Sequence, residues 1–237
     1  MDREFATRGF GLMPLAERHG MMLWPWCAQA RPLTRAHKSD VVPMLADMLA
    51  FRAAHWTSGP SGASVHDLYE MARANLTEAL GEAGAAPRAV WRPHLDAIAA
   101  EAEPVRMDGK LDCHEFLKLP HGRIVKTDAL DHHAAHDLIG CQEIYWDVAG
   151  ATIEWTLSHA ETQFICDQID CACSFARPRE TLGFYLVAYT AFRLGAATMS
   201  VEALGQVNPA EARRFQRRVQ FYRETAQALL QSAFTCA

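Results

Sequence analysis

The chain has 237 residues, 50% of them hydrophobic and 22% charged, with a formal charge of −5. That length fits one domain or two small ones, and the composition is that of a folded chain with a sizeable core. Net negative charge without any lysine or arginine run argues against nucleic-acid and anionic-membrane partners. With no apolar stretch near the roughly 20 residues of a membrane span and no signal-peptide core at the N-terminus, a cytoplasmic protein is expected.

The first 35 residues read as irregular, punctuated by Gly9, Gly11, Pro14, Gly20, Pro25 and Pro32, with Met21–Trp24 as a single candidate strand. Apolar residues at helical spacing predict a helix from Val41 to Trp56, capped by Ser39 or Asp40, with Pro43 in the first turn where proline is tolerated. The run Gly59-Pro60-Ser61-Gly62 breaks it. Ser64 then caps a second helix through Leu80, whose stripe is Leu68, Met71, Ala72, Leu76, Ala79 and Leu80. A third, after Pro87, carries Val90, Trp91, Leu95 and Ile98.

At Glu103 the pattern changes to strands. Val105–Met107 is a short candidate strand and Asp108-Gly109 a turn; Phe116–Leu119, the turn Pro120-His121-Gly122 and Arg123–Lys126 predict a hairpin. Beyond Gly140, helices are expected near residues 142–158, 160–175, 180–200 and 209–234, the last opened by Asn208 as cap and Pro209 at the first helical position. The expected class is mainly α with a small β-hairpin insert: an irregular segment at 1–37, then a helical region at 38–237 with the hairpin at 105–128. Arg213, Arg214, Arg217 and Arg218 read as the wet face of the last helix. The seven cysteines lack paired zinc-knuckle spacing and read as reduced thiols.

Ionisable chemistry is concentrated between Asp108 and Glu154. Glu115 precedes one hairpin strand and Asp128 follows its partner, so a tight hairpin brings the two ends together. Adjacent carboxylates share a proton or hold a cation, and oxygen donors favour Mg²⁺ or Mn²⁺. His114, His132, His133, His136 and Asp137 offer either turn caps and pocket lining or the ligands of a metal-dependent hydrolase; their spacing matches no zinc motif. Asp147, in Trp146-Asp147-Val148-Ala149, opens a helix, where a carboxylate suits the positive end of the helix dipole. Trp146 and Trp155 read as core.

The order of strand, acid-bearing loop, hairpin, aspartate, histidine-rich loop and Trp-Asp-Val-Ala-Gly helix resembles the C-terminal lobe of the protein-kinase-like fold, in its aminoglycoside phosphotransferase and choline kinase branch. The resemblance runs from about Ala6 to the C-terminus. It implies that Asp128 matches the metal aspartate, that Glu115 stands where the branch has a metal-binding asparagine, and that Asp147 braces the catalytic loop. The branch places its base five positions before that asparagine, which is Lys110 here. Asp108 and Asp112 flank that position as candidate bases, with Asp108 preferred because it follows the strand Val105–Met107.

The implied activity is transfer of a phosphoryl group from ATP or GTP, with Mg²⁺ or Mn²⁺, to a small-molecule hydroxyl, with Lys126 or His136 neutralising phosphate charge. No glycine-rich phosphate loop or strand lysine is evident. The resemblance therefore also admits a partner chain supplying an N-terminal lobe, an inactive relative, or a non-catalytic helical binding module.

Overall fold

The computed structural model describes residues 2–59, 61–85, 90–128, 134, 139–174 and 176–235. Its elements in chain order are α1 (Asp2–Thr7), β1 (Ala16–Arg18), β2 (Met21–Leu23), β3 (Arg31–Pro32), α2 (Lys38–His55), α3 (Val65–Leu80), α4 (Leu95–Glu101), β4 (Pro104–Val105), β5 (Phe116–Lys118), β6 (Ile124–Lys126), β7 (Gln142–Glu143), α5 (Tyr145–Trp155), α6 (His159–Cys173), α7 (Glu180–Leu204) and α8 (Pro209–Thr235). They divide into two compact units, one of residues 1–62 and 103–177 and the other of residues 63–102 and 178–237. No described helix is long and apolar enough to cross a membrane.

In the first unit, Val41, Leu45, Met48 and Leu49 of α2 are buried, as are Trp146, Val148 and Trp155 of α5 and Ile165, Cys166 and Ile169 of α6. The α6 start is closed by a reciprocal cap: Glu161 N–H donates to Ser158 Oγ (3.3 Å) and Ser158 N–H donates to Glu161 Oε2 (2.7 Å). Lys38 adds an ion pair to Glu161 at 2.9 Å, and these hydrogen bonds hold the Glu161 carboxyl down at about 2.

Among the described residues, four antiparallel pairings make three small sheets. β5 and β6 form the expected hairpin, with Phe116 opposite Lys126 and Lys118 opposite Ile124. β3 adds an unforeseen third strand on the far edge of β5, where Pro32 is tolerated because an edge strand has a face without ladder bonds. β1 and β2 form a second hairpin, turned by His19 (φ 54°) and Gly20 (φ 73°). Two positive φ values in a two-residue loop match the twist of the flanking strands. The expected irregular N-terminal segment thus contains a helix and three strands.

Two boundaries differ from the sequence reading. The strand expected at Val105–Met107 is instead Pro104–Val105, and its partner is Gln142–Glu143, which periodicity had placed in the next helix. Both partners are buried or nearly so, and Glu143 is drawn into the pair by accepting from the Glu103 N–H (2.8 Å) and Arg177 Nε (2.7 Å). The helix therefore starts at Tyr145. In addition, α2 starts at Lys38, with His37 rather than Ser39 or Asp40 at the cap position.

In the second unit, α3 buries Leu68, Tyr69, Ala72 and Leu76, while α7 buries Phe184, Tyr185, Tyr189 and Leu194. Asn75 of α3 donates to the Ala191 carbonyl of α7 (3.0 Å), lying where a side chain on Gly195 would clash. Ser64 caps α3 through Asp67, and Asn208 accepts from the Glu211 N–H at the start of α8. Arg213, Arg214 and Arg217 are exposed and Arg218 is half-buried.

Candidate functional site

The loop after β4 is tethered from below. The Asp147 carboxylate, in the first turn of α5, accepts from two consecutive backbone N–H groups, Asp108 (2.7 Å to Oδ2) and Gly109 (2.8 Å to Oδ1). Pointing two neighbouring amides at one carboxylate needs a sharp turn, which Gly109 supplies at φ 74°. Burial, then the nearby Asp108 charge, pushes the Asp147 carboxyl up to about 6, against the pull of Arg52 and the two amides. Two turns along α5, Trp155 Nε1 donates to the Leu111 carbonyl (3.1 Å) and packs edge-on against Phe116 at 5.3 Å. One helix thus holds the loop at both ends.

Asp108 itself is fully buried, with both carboxylate oxygens in ion pairs: Oδ2 with Arg52 at 3.1 Å and Oδ1 with Lys126 Nζ at 3.3 Å. Arg52 was not singled out from sequence. Its guanidinium also donates to the Arg106 carbonyl (2.9 Å) and lies over the rings of Trp56 (4.9 Å) and Phe5 (5.4 Å). The available signal was an arginine within a run of residues otherwise suited to the core, Leu49 to Ala53, because a charge there needs a buried partner.

Lys126, at the end of β6, is the most connected of the expected site residues. Its ammonium donates to Glu115 Oε2 (2.7 Å) and to the carbonyls of Thr127 (2.8 Å) and Asp128 (3.3 Å), besides its ion pair with Asp108. Burial pushes the Glu115 carboxyl above the usual range, opposed by the Lys126 ammonium. The hairpin brings Glu115 to the Asp128 end as its register requires, for the Thr127 N–H and hydroxyl both donate to the Glu115 carbonyl, at 2.8 and 2.9 Å. Asp128 is exposed and adopts φ 49°, in the left-handed region. Asp112 is buried; its carbonyl accepts from the Glu115 N–H (3.0 Å). His132, His133, His136 and Asp137 lie outside the described residues.

A cavity of about 660 Å³ opens beside this cluster. Its lining is apolar at Met22, Trp24, Trp26 and Leu117 and polar at Glu17, Lys126, Thr127 and Asp128. Volume and lining are those of a site for an organic ligand with one polar end. The donor set fits a divalent cation poorly at Glu115, whose carboxylate is held by an ammonium. Among the described residues, no three His, Cys, Asp or Glu side chains converge as metal ligands.

No family model matches the sequence, and no curated protein sequence does. Solved structures do. A choline/ethanolamine kinase family protein from Mesorhizobium loti matches with a TM-score of 0.62 and 15% identity, covering 96% of this chain and 76% of that one. Choline kinase LicA from Streptococcus pneumoniae matches at 0.59 and 13% identity, over 92% of this chain and 76% of that one. LicA in complex with AMP matches at 0.60 and 12% identity, over 93% and 76%. At such identities the likeness establishes the fold: the chain is an α+β protein of the protein-kinase-like fold.

Proposed function

We propose that the chain is a nucleotide-binding, phosphotransferase-like protein, taking ATP or GTP as donor and a small-molecule hydroxyl as acceptor. The observation that carries this reading is Lys126. It lines the cavity and its ammonium is paired with Asp108, so one residue joins the ligand space to the loop tethered by Asp147. In this reading Trp24 and Trp26 stack on the base, while Thr127 and Asp128 face the phosphates. Asp108, held by Arg52 and Lys126, is the first candidate to orient the acceptor hydroxyl, and Asp112 is the alternative base. Mg²⁺ or Mn²⁺ enters only at Asp128, since Glu115 is committed to Lys126. His136 remains the second candidate to balance phosphate charge. Choline and ethanolamine are the first acceptors to assay, because the structural neighbours are named for them.

A second reading, nucleotide binding without transfer, is favoured by one specific feature: both oxygens of the buried Asp108 carboxylate are held by cations. Thermal unfolding with ATP and GTP, in wild type and Asp128→Ala, followed by a labelled-phosphate assay on choline and ethanolamine, separates the two. A nucleotide-dependent rise in unfolding temperature with transfer supports the first reading, and a rise without transfer to any hydroxyl supports the second. No shift with either nucleotide sinks both.

A further inference from the structure

We infer that the Lys126 ammonium is a resident cation: it fills the oxygen cage formed by Asp108, Glu115 and the carbonyls of Thr127 and Asp128, so this site receives phosphates without a divalent metal at Glu115. The inference rests on the nucleotide reading for the phosphates alone. The exclusion of metal is a property of the chain itself.

Four oxygens lie within 3.3 Å of Lys126 Nζ, two from carboxylates and two from backbone carbonyls. Those are the donor types that hard divalent cations take. Their distances, 2.7 to 3.3 Å, are ammonium lengths, whereas Mg²⁺ draws oxygens in to about 2.0–2.1 Å. An ammonium has three hydrogens to offer, and this cage uses them all.

The lysine is also fixed in place from both sides. Its backbone N–H donates to the Phe10 carbonyl (2.7 Å), its strand register sets it opposite Phe116, and its ammonium lies 5.7 Å from the Phe116 ring centroid. Its side chain has no exposed surface. Swinging it out would take one of two cations from the buried Asp108 carboxylate and leave Glu115 without the ammonium it accepts from, and a divalent ion beside it would face a like charge. Among the described residues around this point, Asp108, Asp112, Glu115 and Asp147 supply negative charge, and Arg52 and Lys126 oppose it. Removing the lysine charge therefore leaves a strongly anionic oxygen cage.

The test is a Mn²⁺ titration followed by electron paramagnetic resonance on wild type, Lys126→Met and Glu115→Gln, paired with ADP-induced shifts in unfolding temperature in Mg²⁺ and in EDTA. Wild type and Glu115→Gln should bind Mn²⁺ alike, while Lys126→Met, which keeps the stem that packs on Phe116, should gain Mn²⁺ affinity by at least about tenfold. The ADP shift should depend on Mg²⁺ no more in wild type than in Glu115→Gln. Wild-type Mn²⁺ binding that Glu115→Gln weakens overturns the inference, as does a folded Lys126→Met variant that gains none. Should Lys126→Met fail to fold, wild type against Glu115→Gln still decides. An absent ADP shift would count against the nucleotide reading and leave the metal result standing.

Discussion

Asp147 shows what a single buried carboxylate can organise. Replacing it with alanine removes the acceptor of two buried amides at once, so Asp147→Ala should unfold more easily by about 1–3 kcal/mol in urea titrations. A variant as stable as wild type would reduce Asp147 to a dipole partner of its helix. The same residue makes stability depend on pH. Its carboxyl titrates near 6 when folded against the ordinary aspartate value of 3.8, so between those values the folded chain binds more protons than the unfolded one. Stability contributed by the protonated form is present at low pH and lost as pH rises through that window. Wild type should therefore lose stability relative to Asp147→Asn from pH 4 to 6, and a flat difference would assign the titration elsewhere. Asp147 was picked out in sequence because it sits in a short local pattern at a helix start, and it lies in the first turn of that helix. Arg52 was not, since its partner Asp108 lies far along the chain and nothing local announces it.

At the scale of elements, α5 acts as a beam under the loop, fixed by Asp147 at one end and Trp155 at the other. Trp155→Phe keeps an aromatic ring against Phe116 but loses the N–H to the Leu111 carbonyl and part of a fully buried ring system; it should cost about 2–4 kcal/mol through the orphaned carbonyl and the cavity left behind. Equal stability would show that water replaces the indole there. A second junction is the isolated bridge between Gly62 and Gly140. Gly140 has φ 67°, and a Cβ there would run into the Gly62 Cα and approach the Ser61 carbonyl oxygen to 2.5 Å. Gly140→Ala should therefore destabilise by about 1–3 kcal/mol in thermal unfolding. The long helices were legible from 3.6-residue periodicity and their caps. The two-residue strands β3, β4 and β7 were not, because each exists only through a distant partner, and Gln142-Glu143 fits a helical pattern as well as a strand.

For the molecule as a whole, the kinase-like order of elements is retained over more than nine-tenths of the chain at 12–15% identity. Such a fold survives sequence drift because burial pattern and topology, rather than particular side chains, specify it. That is why the class was readable while the cavity was not: its lining comes from the N-terminal hairpin, β5 and β6 together, and the hairpin read as irregular. The cavity makes its own prediction. Trp26 lines it yet is 91% exposed, so Trp26→Ala should change stability by less than about 0.5 kcal/mol. If Trp26 stacks on a base, nucleotide affinity should fall by about 1–3 kcal/mol in a binding titration. Unchanged affinity would remove Trp26 from the binding surface.

The cysteines give this cavity a covalent address. Burial pushes the Cys113 thiol up to about 12, which leaves it almost without thiolate at neutral pH and so inert to electrophiles. Cys27 stands half-exposed on the cavity wall, and Cys171 is exposed away from that lining. Alkylation mapped by mass therefore carries its own internal reference. A ligand that slows reaction at Cys27 and leaves the rate at Cys171 unchanged has entered the cavity, whatever its chemical identity, so ligands can be fished from a library without an activity assay.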